Sequence, residues 1–295
     1  MRNYFFILTL SLSSVVVQLS QVGAQDIKFS HITSEQGLSV AGVNSIIKDH
    51  KGFMWFGTQE GINKYDGVNM TVYRHNPDDD NSLSNNFIYY LFEDGRTGNT
   101  GTGSIIWVCT NGGGLEKFDT KTGKFIHFRN DPENKNSLSS DRVRCIAKDK
   151  NGTYWVGTDE GLNYFDGTTN KFSRFYKEDT DQNSLGGNEI RSIHIDKKEN
   201  VWIGTYGGGL SFFDTRTKKF TTYLDIGSDG ELRSPGSNKV RIIYEDENEI
   251  MWIGTDGGGL VTFNLRTKKF LEFFKHDDAD AGSISNDIIS SIAED

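Results

Sequence analysis

Short apolar runs recur along this chain in sets of four, separated by Asp, Asn and Gly. Residues 143–175 show one set. Val143-Arg-Cys-Ile-Ala-Lys is followed by an Asn-Gly turn and then by Tyr154-Trp-Val-Gly-Thr. The loop Asp159-Glu-Gly leads to Leu162-Asn-Tyr-Phe, and a turn through Gly167 leads to Lys171-Phe-Ser-Arg-Phe. Runs rich in β-branched and aromatic residues, with turn residues between them, predict antiparallel strands joined by hairpins. We call the four strands of a set a, b, c and d. No window outside the N-terminus keeps a helical period.

The set repeats. All five tryptophans lie on strand b, in Trp55-Phe-Gly-Thr, Trp107-Val-Cys-Thr, Trp155-Val-Gly-Thr, Trp202-Ile-Gly-Thr and Trp252-Ile-Gly-Thr, at spacings of 52, 48, 47 and 50 residues. A period of about 40–50 residues built from strands marks a radial β array. The fold class read from the pattern is all-β: a β-propeller of four-stranded antiparallel blades. Five sets are full, and partial strands stand at each end. Residues 27–33 resemble a strand d with its trailing loop, and 289–294 resemble a sixth strand a. The expected whole is a ring of about seven blades that continues past residue 295.

Residues 1–24 carry Arg2, an apolar and Ser-rich core from Tyr4 to Val17, and the small-residue run Val22-Gly-Ala24. That order predicts a cleaved secretory signal peptide, with an uncleaved anchor as the alternative. The expected organisation is therefore a signal at 1–24 and an exported propeller domain at 25–295. The formal net charge of −9 comes from 41 acidic against 32 basic residues. No basic stripe is present to neutralise phosphates, so nucleic acid is not an expected partner. Cys109 and Cys145 lie on neighbouring sets. A disulfide or two buried thiols both fit, and the ~10 Å between packed sheets favours the thiols.

The six histidines show no metal-ligand spacing, and there is no P-loop, Gly-x-Ser-x-Gly or Cys-x-x-Cys. No catalytic residue, metal or cofactor is expected. The Gly-rich loops at 111–114, 206–209 and 256–259 open no helix, and they read as tight b–c connections requiring positive φ. The aspartates that close strand a recur in every set, as hairpin turn chemistry would require. The tryptophans read as packing between blades rather than as sugar platforms.

The informative positions vary within this fixed frame. The second residue of strand a is Asn44, Tyr89, Arg144, Arg191, Arg241 and Ser290. The b–c loops emerge at the same end of the blades and carry Gln59, Asn111, Asp159, Tyr206 and Asp256. Polar groups converging from several blades on the mouth of a ring make a ligand site. Arg144, Arg191, Arg241, Tyr89, Tyr206 and Asn44 are thus the candidate ligand-binding residues. Pairing of the arginines with local carboxylates is the competing reading.

The unit Val-x-x-Ile-x-x-Asp-x-x-Gly-x-x-Trp-x-Gly-Thr-x-x-Gly-Leu-x-x-Phe-Asp resembles the two-component regulator propeller repeat. Residues 143–166, 190–214 and 240–264 fit it closely, with Cys109 for Gly, Ile62 for Leu, Asn264 for Asp and an insertion at 95–104 as departures. The resemblance implies the N-terminal periplasmic sensor region of a hybrid two-component histidine kinase. It also implies an oligosaccharide ligand that regulates glycan use, a second propeller and connector domain in the same protein, and a homodimeric receptor. Two alternatives stand beside it. A secreted propeller glycosidase or lyase would suit the Asp-x-x-Gly-x-x-Trp hairpins, which resemble sialidase aspartate boxes, but no carboxylate pair is placed for it by spacing. A non-catalytic protein-interaction propeller would use the same mouth.

Overall fold

The computed structural model describes residues 31–96, 104–224 and 236–294. The expected signal peptide at 1–24 lies outside them, as does most of the leading strand at 27–33. Residues 31–33 are described and form no strand. By its contacts the chain divides after Ile32, and every sheet lies in the unit that starts at Thr33.

That unit holds five four-stranded antiparallel sheets, each ordered as its strands occur in the chain. The first is β1 (Val43–Lys48), β2 (Met54–Thr58), β3 (Gly61–Tyr65) and β4 (Met70–Tyr73). The second is β5 (Ile88–Arg96), β6 (Ser104–Thr110), β7 (Leu115–Asp119) and β8 (Lys124–Phe128). The third is β9 (Val143–Lys148), β10 (Tyr154–Thr158), β11 (Gly161–Asp166) and β12 (Lys171–Phe175). The fourth is β13 (Ile190–Ile195), β14 (Val201–Thr205), β15 (Leu210–Asp214) and β16 (Lys219–Tyr223). The fifth is β17 (Val240–Glu245), β18 (Ile250–Thr255), β19 (Leu260–Asn264) and β20 (Lys269–Phe274). These are the five predicted blades of a β-propeller. The helical content among the described residues is one short 3-10 turn at Ser34–Gln36.

The core lies between blades. Trp55 clusters with Leu83, Ile88 and Phe118 of blade 2, and Trp107 with Leu138, Val143 and Phe165 of blade 3. Trp155 and Trp202 repeat the arrangement with blades 4 and 5. These four indoles are buried, but Trp252 is only half-buried, against the expectation for all five. The reason is geometric. Each tryptophan is covered by the blade that follows, and Trp252 lies on the last sheet, stacked only on Phe274 of its own blade at 5.9 Å. The sixth strand a is not formed either. The start of this stretch, residues 289–294, is held by Ile289 N–H to Thr255 O, next to a bridge between Asp256 and Ile288. Close packing also explains the glycine before the Thr. A Cβ on Gly204 would stand 2.3 Å from Ser192 Oγ and 2.6 Å from Val240 of the next blade.

The aspartate at the end of strand a does more than shape its turn. In Asp196, Oδ1 accepts the N–H groups of Lys198 and Asn200, and Oδ2 accepts the Trp202 indole at 3.0 Å. Asp49 and Asp246 hold Trp55 and Trp252 the same way, at 2.9 and 3.0 Å. Both cysteines are buried free thiols. Burial pushes the Cys145 thiol up to about 12 and Cys109 well above its ordinary value, which keeps both in the thiol form.

The indole bond yields a stability test. Asp196→Ala strands a buried indole N–H and should cost about 1–3 kcal/mol more than Asp149→Ala, whose partner Trp155 makes no such bond. Urea unfolding of the two variants checks this, and equal losses would show that the indole bond contributes nothing.

Candidate functional site

Five β-bulges define the site. In blade 1, Val43 pairs with Thr58 and Ser45 with Gly57, so Asn44 has no partner across the ladder. The same slip leaves out Tyr89 between Ile88 and Tyr90, Arg191 between Ile190 and Ser192, and Arg241 between Val240 and Ile242. In blade 3 the shift falls opposite Gly157 and Thr158, and it leaves out Arg144. A bulge releases one side chain from the alternation of the pleat and re-aims it. Every candidate on a strand a is therefore an unpaired, bulged residue at one end of its blade.

The b–c loops meet these residues at that end. Arg144 holds Asp159 through two hydrogen bonds, Nη2 to Oδ2 at 2.8 Å and Nε to Oδ1, and its guanidinium lies 4.0 Å over the Tyr89 ring of the blade before. Burial works to lower the Arg144 pKa, but the Asp159 carboxylate outweighs it and the pKa is raised. Arg191 pairs with Glu189 and lies 4.9 Å over Tyr206 of its own blade, which Lys239 approaches at 5.0 Å from blade 5. Arg241 lies 3.7 Å from Asp256. Asn44 donates to the Ile88 carbonyl at 2.8 Å.

The structure thus brings Tyr89 to Arg144 and Tyr206 to Arg191, and gives each arginine a carboxylate of its own. The competing reading of local ion pairs holds for all three, but with unequal commitment. Arg144 spends two donors on Asp159. Arg191 keeps a buried Nε without a hydrogen bond, and Arg241 sits at ion-pair distance only. Arg191 and Arg241 therefore retain donors for a ligand.

The mouth is stitched by backbone bonds between blades. The N–H groups of Gly112 and Gly114 both donate to Asp141 O, those of Gly207 and Gly209 to Asn238 O, and those of Gly257 and Gly259 to Asp287 O. Gly209 has φ 69°, and a Cβ there would meet Tyr223 O at 2.5 Å, so the glycines are needed for the turn itself. The long d–a loops are clasps. Leu83, Leu138 and Leu185 are buried in the following blade, and the Asn136 and Asn183 carbonyls accept Phe172 and Phe220 N–H on its outer strand. This covers an otherwise open sheet edge.

Blade 2 fastens its clasp with charge, which sequence reasoning missed. Asn63 and Asn163 receive the clasp serine N–H in blades 1 and 3, and buried Glu116 takes that place in blade 2. Its second oxygen lies 3.6 Å from His127 Nδ1, an ion-pair distance, while His127 Nε2 is 3.0 Å from Asp80 O in the clasp. Glu116 raises the His127 pKa, against burial and Arg129, with help from Asp80 O. A raised folded pKa favours the protonated fold. The stability it contributes is full below the unfolded value of about 6.5 and is lost as pH rises through the folded pKa. Wild type should therefore lose more stability between about pH 6 and pH 8 than His127→Gln, by urea unfolding at each pH. Parallel profiles would show that the pair is uncoupled from folding.

Comparison with known proteins matches this geometry. The family described as two component regulator propeller matches residues 37–60, 137–160, 184–207 and 234–257. The second blade, with its insertion and Cys109, falls outside those stretches. Histidine kinase P4 of Formosa agariphila is 34% identical over 84 residues, 28% of this chain and 6% of that kinase. The extracellular domain of a hybrid two component system from B. thetaiotaomicron is 26% identical at a TM-score of 0.69, over 90% of this chain and 39% of that one. The chain thus spans well under half the length of these relatives. Virginiamycin B lyase of Staphylococcus aureus, 14% identical at a TM-score of 0.54 over 80% of this chain and 71% of its own, shares the fold alone. Among the described residues no helix is long and apolar enough to cross a membrane. Four of the five blades of this chain thus carry sequence similar to the two-component regulator propeller repeat.

Proposed function

We propose that this chain is a ligand-sensing propeller segment of a two-component sensor histidine kinase, exported through its N-terminal 24 residues, and that it takes an oligosaccharide at the mouth. The observation that carries the reading is the set of bulges. The same register slip in five blades turns the residues that differ most between blades toward one end, where backbone bonds hold the loops in place. A rigid scaffold that presents variable polar side chains is suited to recognition. Arginine forks and tyrosine faces suit hydroxylated or acidic sugars through paired hydrogen bonds and stacking. Downstream, we propose a second propeller and a connector domain that pass the signal to a kinase core, with a homodimeric receptor as the working unit. The likeness to an extracellular domain of a hybrid two component system supports that placement.

Arg191 and Arg241 are the residues to test, because they keep free donors. Calorimetry on the complete sensor region with an oligosaccharide panel should show binding weakened about 10- to 100-fold by Arg191→Ala or Arg241→Ala, as loss of a charged hydrogen bond of about 1.5–3 kcal/mol implies. Unchanged affinity in both variants removes the mouth arginines from the site. Hydrolysis or elimination products from any panel member would favour the glycosidase or lyase reading instead.

A further inference from the structure

A cavity of about 270 Å³ opens between blades 2 and 3, among the a–b and c–d turns at the strand ends opposite the mouth. Trp107, Phe128, Tyr154 and Phe165 wall it, and Lys117 and Thr168 are among the polar residues at its edge. Its origin is the departure of blade 2 from the repeat. Strand a runs on to Arg96, which pairs with Ser104, so Asp94 lies inside a strand rather than at a tight turn. Its carboxylate is taken by Lys148 and by the Tyr154 hydroxyl of blade 3. Trp107 therefore lacks the aspartate that holds Trp55, Trp202 and Trp252, and its buried indole N–H has no partner.

The flank beside this indole also departs from the repeat. Across from Trp155 and Trp202, strand c places Tyr164 and Phe212, whose rings stand 5.2 and 4.7 Å from the indoles. Across from Trp107 it places Lys117, whose ammonium lies 5.8 Å from the ring. The Trp155 N–H is unpartnered too, but Trp155 does not line this cavity. At Trp107 the orphan donor belongs to a residue of the cavity wall.

We propose that this cavity is a second ligand site, which takes a single hydroxylated ring. Aromatic walls stack against the apolar face of such a ring, and the orphan indole donates to one of its oxygens. A buried donor gains more from a new acceptor than an exposed one, because its unpaired state is costly. The Lys117 ammonium favours a ring that carries a carboxylate over a neutral one. The site is independent of the mouth, so it stands whether or not the arginines bind sugar.

The test uses the whole chain labelled with 15N at tryptophan, which gives five indole signals. Galacturonate and galactose are titrated separately. A saturable shift of the Trp107 indole signal is expected, with galacturonate bound more tightly. Lys117→Phe places in blade 2 the residue that fills this flank in blade 4, and it should abolish the shift while the other four indole signals stay in place. Arg191→Ala should leave the shift unaltered. A Trp107 signal that neither sugar moves, or a shift that survives in Lys117→Phe, overturns the proposal.

Discussion

Each blade depends on its successor for a hydrophobic face. Trp55, Trp107, Trp155 and Trp202 point their indoles at the sheet that follows, and none could be buried by its own four strands. A single four-stranded sheet has two faces and no core, so stability comes from interfaces between neighbours. The half-buried Trp252 shows the same rule from the other side. Its Trp-Ile-Gly-Thr phrase is that of Trp202, and among the described residues no further sheet packs over it.

This nearest-neighbour constraint also shapes the functional end. Because adjacent blades pack closely, glycine stands on strand b in four of the five blades and in the b–c loops, and the loop N–H groups find acceptors on the next blade. The frame of the mouth is thereby fixed by groups that carry no side-chain information. The bulged position is released from packing, so its chemistry is free to differ from blade to blade. Rigidity and variability arise from one arrangement.

Much of this was legible in the sequence. The tryptophan phrase, the Gly-Leu that opens strand c and the closing aspartate recur because every blade solves the same packing problem, so blade number and strand order follow from periodicity. The position of the variable residues was legible too, but not the reason for it. A bulge changes pairing without changing composition, so no residue type announces that Asn44, Tyr89, Arg144, Arg191 and Arg241 stand outside the ladder. The role of Asp196 in holding Trp202 was hidden for a related reason: a turn aspartate and an indole acceptor are one residue with two oxygens. The clasp role of the loops at 130–141 and 177–188 was not read from the sequence, and their single buried leucines, Leu138 and Leu185, are the signal that could have shown it.

The clasps shift the boundary of the heritable unit. Blades 3 and 4 are complete only with the Asn-Ser-Leu segment that precedes the first strand, since that segment covers the outer edge and plugs the core. The module that can be copied, deleted or exchanged therefore begins at the clasp and ends with strand d, as residues 134–175 do for blade 3. A cut placed at the start of strand a would separate a blade from its own cover and leave the donor with an orphaned leucine. Gene duplication that respected this phase would have added blades one at a time without exposing an edge. A ring of this kind can then grow or be recombined by whole modules, while its mouth acquires one new side chain with each.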